Sequence, residues 1–591
     1  MIFGKHVNRF YLKYGIFFLI GIAALVTVDY VQLLIPDVTG SIIEGLEAKT
    51  LTEAMLGTYI KDIIIWGLII VFGRFVWRIF IMGTSRRIDY ELRNKMFEHA
   101  EKLSRRFYQE NKSGGLMSYF TNDLEAVRMA FGPGLMMAFD ILFLGSMAFI
   151  KMYQLDHTLT FFALVPLLMV SLLSAFVSRI TGRKFKARQK AFEETSDFTQ
   201  ENFYGISVIK AFVNEVRQLR AFNKINTNNY DKSVSHIKAS TLMHVGIEMF
   251  ITVIRILMLA IGGWLVYKTV GVSELDPAKF SIGDLTRYIA YFGTMVWPMM
   301  AVGRLINMRA QAKASLSRLS NLLDQPIEIK DDPNSYKGGV IEGKIVFNHV
   351  NFKYPGTKQP ALRDVAFTIE KGQMVGIIGR TGSGKTTLVD LLLRLYNLKS
   401  NEIMIDDVDI MKWPIRTIRD AIGYVPQDNF IFSDTVMNNI AFAVDDASEE
   451  QIEEVARYSD IHDNILDFPN QYETLVGERG VTLSGGQKQR LSIARALIKD
   501  PTILIMDDSF SAVDTKTEEM ILNQLRSLRS GKTTLIIAHR ISTIKQADLI
   551  VLVDDGQIIG LGTHDELLMQ SPFYQQLVLQ QQLEDEIEGV A

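Results

Sequence analysis

A chain of 591 residues is too long for one ordinary domain, and 48% hydrophobic with 22% charged content excludes a mainly disordered polypeptide. With 63 Lys+Arg against 66 Asp+Glu the formal net charge is −3, so no global basic field points to nucleic acid. The absence of cysteine removes disulfides, thiolate metal sites, cysteine nucleophiles and Fe–S ligation together.

These averages cover two unlike halves. Apolar stretches lie at 15–35, 60–82, 133–155, 158–181, 243–270 and 281–308. Each is about 20 residues or more, enough at about 1.5 Å per residue for a helix to cross a hydrocarbon core about 30 Å thick. The first is no cleavable signal, since it lacks a small-residue cleavage site and further spans follow. Lys and Arg are spread unevenly: nine lie in 83–130 and eleven in 182–242, whereas the other three connections hold one (Lys49), one (Lys151) and two (Lys268, Lys279). The positive-inside rule therefore predicts cytoplasmic termini and two long cytoplasmic connections. Those connections are too long for plain loops, and their helical periodicity predicts membrane helices that continue into the cytoplasm.

Beyond residue 340 the apolar strings shorten and alternate with helical patterns. Residues 345–354, 367–379, 502–508 and 533–539 read as strands, 448–465 and 485–499 as helices, and 415–427 as mixed. Such alternation predicts an α/β domain with a largely parallel sheet. The expected organisation is a membrane all-α domain over 1–320, a linker over 321–339, an α/β ATPase domain over 340–578, and a loose acidic tail over 579–591.

Gly379-Arg-Thr381-Gly382-Ser383-Gly384-Lys385-Thr386 fits G-x-x-x-x-G-K-[ST], after a strand pattern and before a helical one that opens with Thr387. Glycines let backbone N–H groups wrap phosphates, Lys385 reaches the β/γ oxygens, and Thr386 offers a hydroxyl to Mg²⁺. Ile503-Leu504-Ile505-Met506 is a buried-strand pattern delivering Asp507 at its C-terminal end, a carboxylate suited to a Mg²⁺ shell. Further on the chain reads Leu483-Ser484-Gly485-Gly486-Gln487.

That last string resembles the signature of the ATP-binding-cassette (ABC) family, and the rest of the family's pattern is present in order. Tyr354 is similar to the adenine-stacking aromatic, Gln427 to the Q-loop glutamine that approaches Mg²⁺, and Glu478 to the exporter X-loop. Ser511 to Asp514 resemble the D-loop, and His539 the switch histidine. Residues 107–128 and 201–215 resemble the two cytoplasmic loops of ABC exporters. The resemblance covers about 10–578 and implies a type-I exporter half-transporter that uses ATP and Mg²⁺ as an obligate dimer. Each ATP would lie between one Walker site and the opposite signature.

After Asp507 the family places a glutamate that polarises the attacking water, and here the residue is Asp508. One methylene less withdraws the carboxylate by about 1.5 Å, where contact at about 2.6–3.2 Å is needed. The pattern resembles the degenerate-site subunit of heterodimeric bacterial multidrug exporters. It implies a paralogous partner that keeps the glutamate but has a damaged signature. Ser484, Gly485 and Gly486 of this chain would then complete the partner's site.

Cargo is less well marked. The membrane half holds 18 of 25 methionines, soft side chains that suit an adaptable apolar cavity. Asp29, Arg74, Arg78, Asp140, Glu248, Arg255 and Arg304 fall within or beside apolar runs and should face a watery interior or one another. Asp140 and Glu248 are candidate contacts for cationic compounds, with internal ion pairing as the competing use. Export of drugs or other lipophilic compounds across the cytoplasmic membrane is the expected function. The alternatives are a lipid or peptide exporter, a homodimer with a slow site, or a nucleotide-gated channel. Only about 14 residues precede the first apolar run, which disfavours a peptide-processing domain.

Overall fold

The computed structural model describes residues 4–111, 113–269, 280–336, 338–477, 480 and 483–589; many side chains in 164–178 and those of 584–589 fall outside that description. The chain forms two compact units, Met1–Glu101 with Ser113–Gln325, and Lys102–Lys112 with Pro326–Ala591.

The first unit is helical. Its long elements are α1 (Gly15–Glu47), α2 (Glu53–Trp77) and α3 (Gly83–Glu101). After α4 (Arg105–Glu110), which groups with the second unit, come α5 (Pro133–Leu155), α6 (His157–Tyr204), α7 (Glu215–Thr269) and α8 (Ile282–Leu323). Five helical stretches among the described residues, Gly15–Glu47, Glu53–Glu101, Gly115–Leu155, Glu215–Thr269 and Ile282–Leu323, are long and apolar enough to cross a bilayer. The remaining expected run, 158–181, lies on α6, where many side chains fall outside the description. With 48 and 55 residues, α6 and α7 are about 70–80 Å long, far more than a hydrocarbon core needs. These lengths leave room for the expected extension beyond the membrane.

Side chains cap the helices where the chain reverses. Asp156 Oδ1 accepts from Leu159 N at 2.6 Å. Ser281 Oγ accepts from Asp284 N at 2.9 Å while Asp284 Oδ2 accepts from Ser281 N at 3.1 Å, a capping box. Just inside that box, Arg287 donates to Glu44 Oε2 at 2.7 Å, Asp284 Oδ1 at 2.8 Å and Ser41 Oγ at 3.0 Å. Glycines make room for this knot. A Cβ on Gly40 would stand 2.3 Å from Arg287 Nε, and one on Gly283 would stand 2.6 Å from Gly40 O. Close approach of α1 and α8 is thus bought by missing side chains and secured by charge.

In the second unit, a four-stranded antiparallel sheet has the order β2-β1-β4-β5, from β1 (Ile345–Phe352), β2 (Leu362–Ile369), β4 (Ile403–Ile405) and β5 (Val408–Asp409). The larger sheet has the order β10-β9-β3-β8-β7-β6. Its strands are β3 (Met374–Ile378), β6 (Ile422–Val425), β7 (Ile503–Asp507), β8 (Thr533–Ile537), β9 (Leu549–Asp554) and β10 (Gln557–Gly562). All pairings are parallel except β9 with β10. Every residue of β7 and β8 is buried, as expected of parallel strands covered on both faces. Helices α9 (Lys385–Leu392), α10 (Gly485–Leu497), α11 (Thr515–Leu528), α12 (Ile541–Ile544) and α13 (Pro572–Gly589) complete the parts used below.

Two boundaries differ from expectation. The expected linker is largely built into the ATPase unit, which begins at Pro326. There Arg394, fully buried, donates to Lys330 O at 3.3 Å and Trp413 O at 3.1 Å. The expected loose tail is instead helical as far as Gly589, because Tyr574, Leu577 and Val578 seat α13 on the core.

Replacing Arg287 removes the guanidinium that Glu44 and Asp284 share in this partly buried knot. Arg287→Ala should destabilise the full chain by about 3 kcal/mol, with Arg287→Lys recovering less than half because an ammonium cannot fork. Thermal unfolding in detergent measures both.

Candidate active site

The loop between β3 and α9 is shaped by glycines. Gly382 and Gly384 have φ of +81° and +102°, and a Cβ on Gly379 would lie 1.8 Å from Val553 O. Lys385, nearly fully buried, bends back to donate to Gly379 O at 2.8 Å and Arg380 O at 2.9 Å. Burial lowers its pKa, and Asp507 and Asp508 offset part of that. Ser383 Oγ is buried and has no hydrogen-bond partner among the described residues.

Asp507 ends β7 at 1% exposure. The Thr386 hydroxyl bonds its carboxylate, and Asp507 Oδ2 has no hydrogen-bond partner among the described residues. Burial pushes this acid up to about 6. Asp508 follows with φ of +50°, in the left-handed region. Its N–H donates to Ile537 O at 2.9 Å, and its Oδ2 stands 3.5 Å from Gln427 Nε2. His539, two residues past β8, lines one cleft with Asp508, Ser509 and Ser511. Burial and the Lys385 ammonium hold its imidazole below the ordinary histidine value, with Asp508 opposing. The site therefore gathers Gly379 to Thr387, Gln427, Asp507, Asp508 and His539 within one chain. Thr381 lies on the exposed part of the loop.

The signature string has a local role that residue spacing shows. Ser484 Oγ accepts from Gln487 N at 3.2 Å and Gln487 Oε1 accepts from Ser484 N at 2.9 Å, a capping box that starts α10. A Cβ on Gly486 would lie 2.9 Å from Ala512 O. Gln489, which motif reading passed over, donates to Ser511 Oγ at 2.9 Å and accepts from Ala512 N at 2.9 Å, so it ties the D-loop to α10. Asp514 caps α11 by accepting from Thr517 N at 3.0 Å. Glu478 lies outside the described residues. Leu483 packs beside the cluster that includes Val425, Met506 and Phe510.

Tyr354 follows β1, and its hydroxyl donates to Asp390 Oδ2 at 3.1 Å and lies 3.1 Å from Thr387 Oγ1. Asp390 is 3% exposed on α9 and also receives the Arg105 guanidinium from α4. Burial raises the Asp390 carboxyl, and Arg105 and Tyr354 offset it. Gln109 Oε1 accepts from Tyr396 OH at 3.1 Å beside this pair. Neither Asp390 nor Arg105 belongs to a motif, and their sequence separation of 285 leaves no local signal. In the helical unit, Asp140 is buried and accepts from Trp297 Nε1 at 3.2 Å. Glu248 is exposed on α7, and no hydrogen bond or ion pair among the described residues joins it to Asp140.

A family model described as ABC transporter matches 362–511, and one described as ABC transporter transmembrane region matches 18–299. The chain is 36% identical over 99% of its length to the Bacillus subtilis protein named probable multidrug resistance ABC transporter ATP-binding/permease protein YheI, covering 99% of that protein. The chain belongs to the ABC transporter family. The Escherichia coli multidrug resistance-like ATP-binding protein MdlA is 35% identical to the transporter over 95% of this chain and 94% of its own. A solved structure of a bacterial Atm1-family ABC exporter with ATP bound shares its fold, with a TM-score of 0.75 at 24% identity over 97% of this chain and 98% of the other. The transporter is thus an ATP-hydrolysing, membrane-spanning exporter of the type-I fold.

Removing the Arg105 guanidinium strands a buried carboxylate beside the Tyr354 ring. Arg105→Ala should cost about 1–3 kcal/mol of stability. Asp390→Asn in the same chain should restore part of it, because an amide still accepts from Tyr354. Thermal unfolding of the two single variants and the double variant closes the cycle.

Proposed function

We propose that the transporter is one half of a heterodimeric exporter of drugs or other lipophilic and cationic compounds. Its own Walker site binds ATP and turns it over slowly. Its Ser484, Gly485 and Gly486 complete the site of a paralogous partner that keeps the glutamate and carries a damaged signature. Both termini and both long connections face the cytoplasm, and the lysine and arginine bias of those connections supports this. Relatives named for multidrug resistance support the cargo class.

The observation that carries the proposal is Asp508. Its carboxylate is one methylene short of the family's glutamate, while Lys385, Asp507, His539 and the signature all keep their family identities. Its Oδ2 makes a long contact with Gln427 Nε2, at 3.5 Å. A misplacement of about 1 Å in a group that orients the attacking water costs on the order of 10²-fold in rate.

Thr386, Asp507 and Gln427 would hold Mg²⁺, which neutralises phosphate charge when bound. The unpartnered Asp507 Oδ2 fits that role, as a buried lone carboxylate oxygen calls for a cation. Lys385 then leaves its loop carbonyls for the phosphates. Tyr354 stacks on the adenine, and His539 contacts the terminal phosphate.

The chain purified without a partner should hydrolyse ATP far below ordinary transporter rates; ordinary rates from the single chain sink the heterodimer. In the assembled transporter, Asp508→Glu should speed turnover at this chain's site by about 10- to 100-fold, and Ser484→Ala should slow the partner's. Position-specific vanadate trapping of nucleotide distinguishes the two sites.

The raised Asp507 pKa sets a pH dependence of definite sign. A cation binds the ionised carboxylate, so Mg–ATP affinity should fall as pH drops through about 6. Without Mg²⁺ the trend in stability is opposite: the folded state holds the proton more tightly than the unfolded chain, so stability falls as pH rises to about 6. Fluorescent-nucleotide titrations between pH 5 and pH 8 (about three units, spanning that value) test the first trend, and Asp507→Asn should flatten it.

A further inference from the structure

Helix α13 places Tyr574, Leu577, Val578 and Gln581 at i, i+3, i+4 and i+7, one face of a helix. The first three join the apolar cluster that includes Ala538, Ile541 and Ile544. Tyr574 is fully buried and is hydrogen-bonded to His564 Nδ1 at 2.7 Å. Gln581 continues the stripe with an amide, and both ends of that amide are engaged. Its Oε1 accepts from Ile541 N at 2.6 Å, and its Nε2 donates to His539 O.

Those two backbone groups flank the switch histidine's turn. Ile541 opens α12, and the N-cap residue Arg540 makes no side-chain capping bond. The first N–H groups of a helix lack intrahelical partners. Serine, threonine or aspartate at the N-cap ordinarily serves them. Here the service comes from Gln581, 40 residues downstream. By holding the His539 carbonyl as well, one amide fixes the backbone on both sides of Arg540. The first turn of the same helix carries Phe573, whose ring lies 5.2 Å from the guanidinium of Arg380, the residue after Gly379 in the phosphate loop.

We propose that Gln581 is a positioning residue for His539, and that α13 is a strap holding the switch loop and, through Phe573 and Arg380, the phosphate loop. The inference rests on the reading of His539 as the residue facing the terminal phosphate. Gln581 touches neither nucleotide nor cation in this scheme; it sets the direction from which the imidazole approaches.

Amide hydrogen exchange on the full-length transporter in nanodiscs tests the strap directly. Gln581→Leu should speed exchange in 539–544 by about tenfold, the scale of one lost capping bond, while 574–578 keeps its protection. Gln581→Glu, which keeps the acceptor for Ile541 N and loses the donor to His539 O, should fall between. In the Asp508→Glu transporter, Gln581→Leu should lower turnover by about 3- to 10-fold with KM for ATP changed less than about twofold. Phe573→Leu should instead raise that KM by about threefold.

Unchanged exchange in 539–544 for Gln581→Leu overturns the proposal. So does a general loss of protection across α13 and β9, which identifies plain structural packing. Slow turnover in Asp508→Glu alone counts against the degenerate-site reading and leaves the exchange result standing.

Discussion

One row of the parallel sheet sets the geometry of the ATP site. Ile377 of β3 and Asp507 of β7 are both in register with Ile537 of β8. Just beyond that row, the phosphate loop leaves β3, the switch loop leaves β8, and Asp508 leaves β7. Three loops with unrelated sequences therefore emerge at the same level, close enough for Lys385 and His539 to feel Asp508. A slip of one residue would turn every side chain of a strand to the opposite face. Burial of β7 and β8 along their whole lengths opposes such a slip. Asp508 sits at the row's edge in the left-handed region, held by its N–H on Ile537 O. Aspartate enters that region more readily than most residues, so the shorter carboxylate suits the turn.

Charge inside this row is balanced for occupation. Burial shifts Lys385 down and Asp507 up, so desolvation drives both towards neutrality. Lys385 donates to Gly379 O and Arg380 O, whereas Asp507 Oδ2 and Ser383 Oγ have no hydrogen-bond partner among the described residues. Under the proposed function, a polyphosphate with a divalent cation would give Lys385 and Asp507 partners of opposite charge. The same accounting applies at Asp390, where Arg105 and Tyr354 meet on one buried carboxylate.

Much of the site is readable from sequence because its motifs are contiguous and their physics is local. The Gly379–Thr386 loop, the apolar strand ending in Asp507, and the Ser484-x-x-Gln487 capping box each need only a few adjacent residues. Asp390, Gln489 and Gln581 escaped because each acts through a partner remote in sequence. Gln581 did leave a trace: it follows Tyr574, Leu577 and Val578 at helical spacing, and the acidic composition of 580–591 outweighed that pattern. The linker escaped for a related reason. Its Lys330 carbonyl matters only because buried Arg394 reaches it, and no local rule pairs the two. Of the two carboxylates singled out for cargo, Asp140 is buried against Trp297 and Glu248 is exposed, a division that hydropathy cannot make.

The two units are held together internally by different means, and the solvent of each explains why. In the ATPase unit, apolar strands leave water, so area burial supplies the drive and polar groups are free to specialise. In a bilayer the surroundings are as apolar as leucine, and helix association must come from close contact and polar anchors. The helical unit meets that demand at specific knots. Arg287 ties α8 to α1 where Gly40 and Gly283 allow approach. Asp37 on α1 takes Lys151 of α5 at 2.7 Å and the Tyr291 hydroxyl of α8. Asp123 takes Ser315 Oγ at 2.8 Å and Arg318 Nε at 3.0 Å. Such knots pin the helices to one another at polar pairs, while an apolar cluster that includes Leu144, Ile251 and Phe292 fills the space between helices.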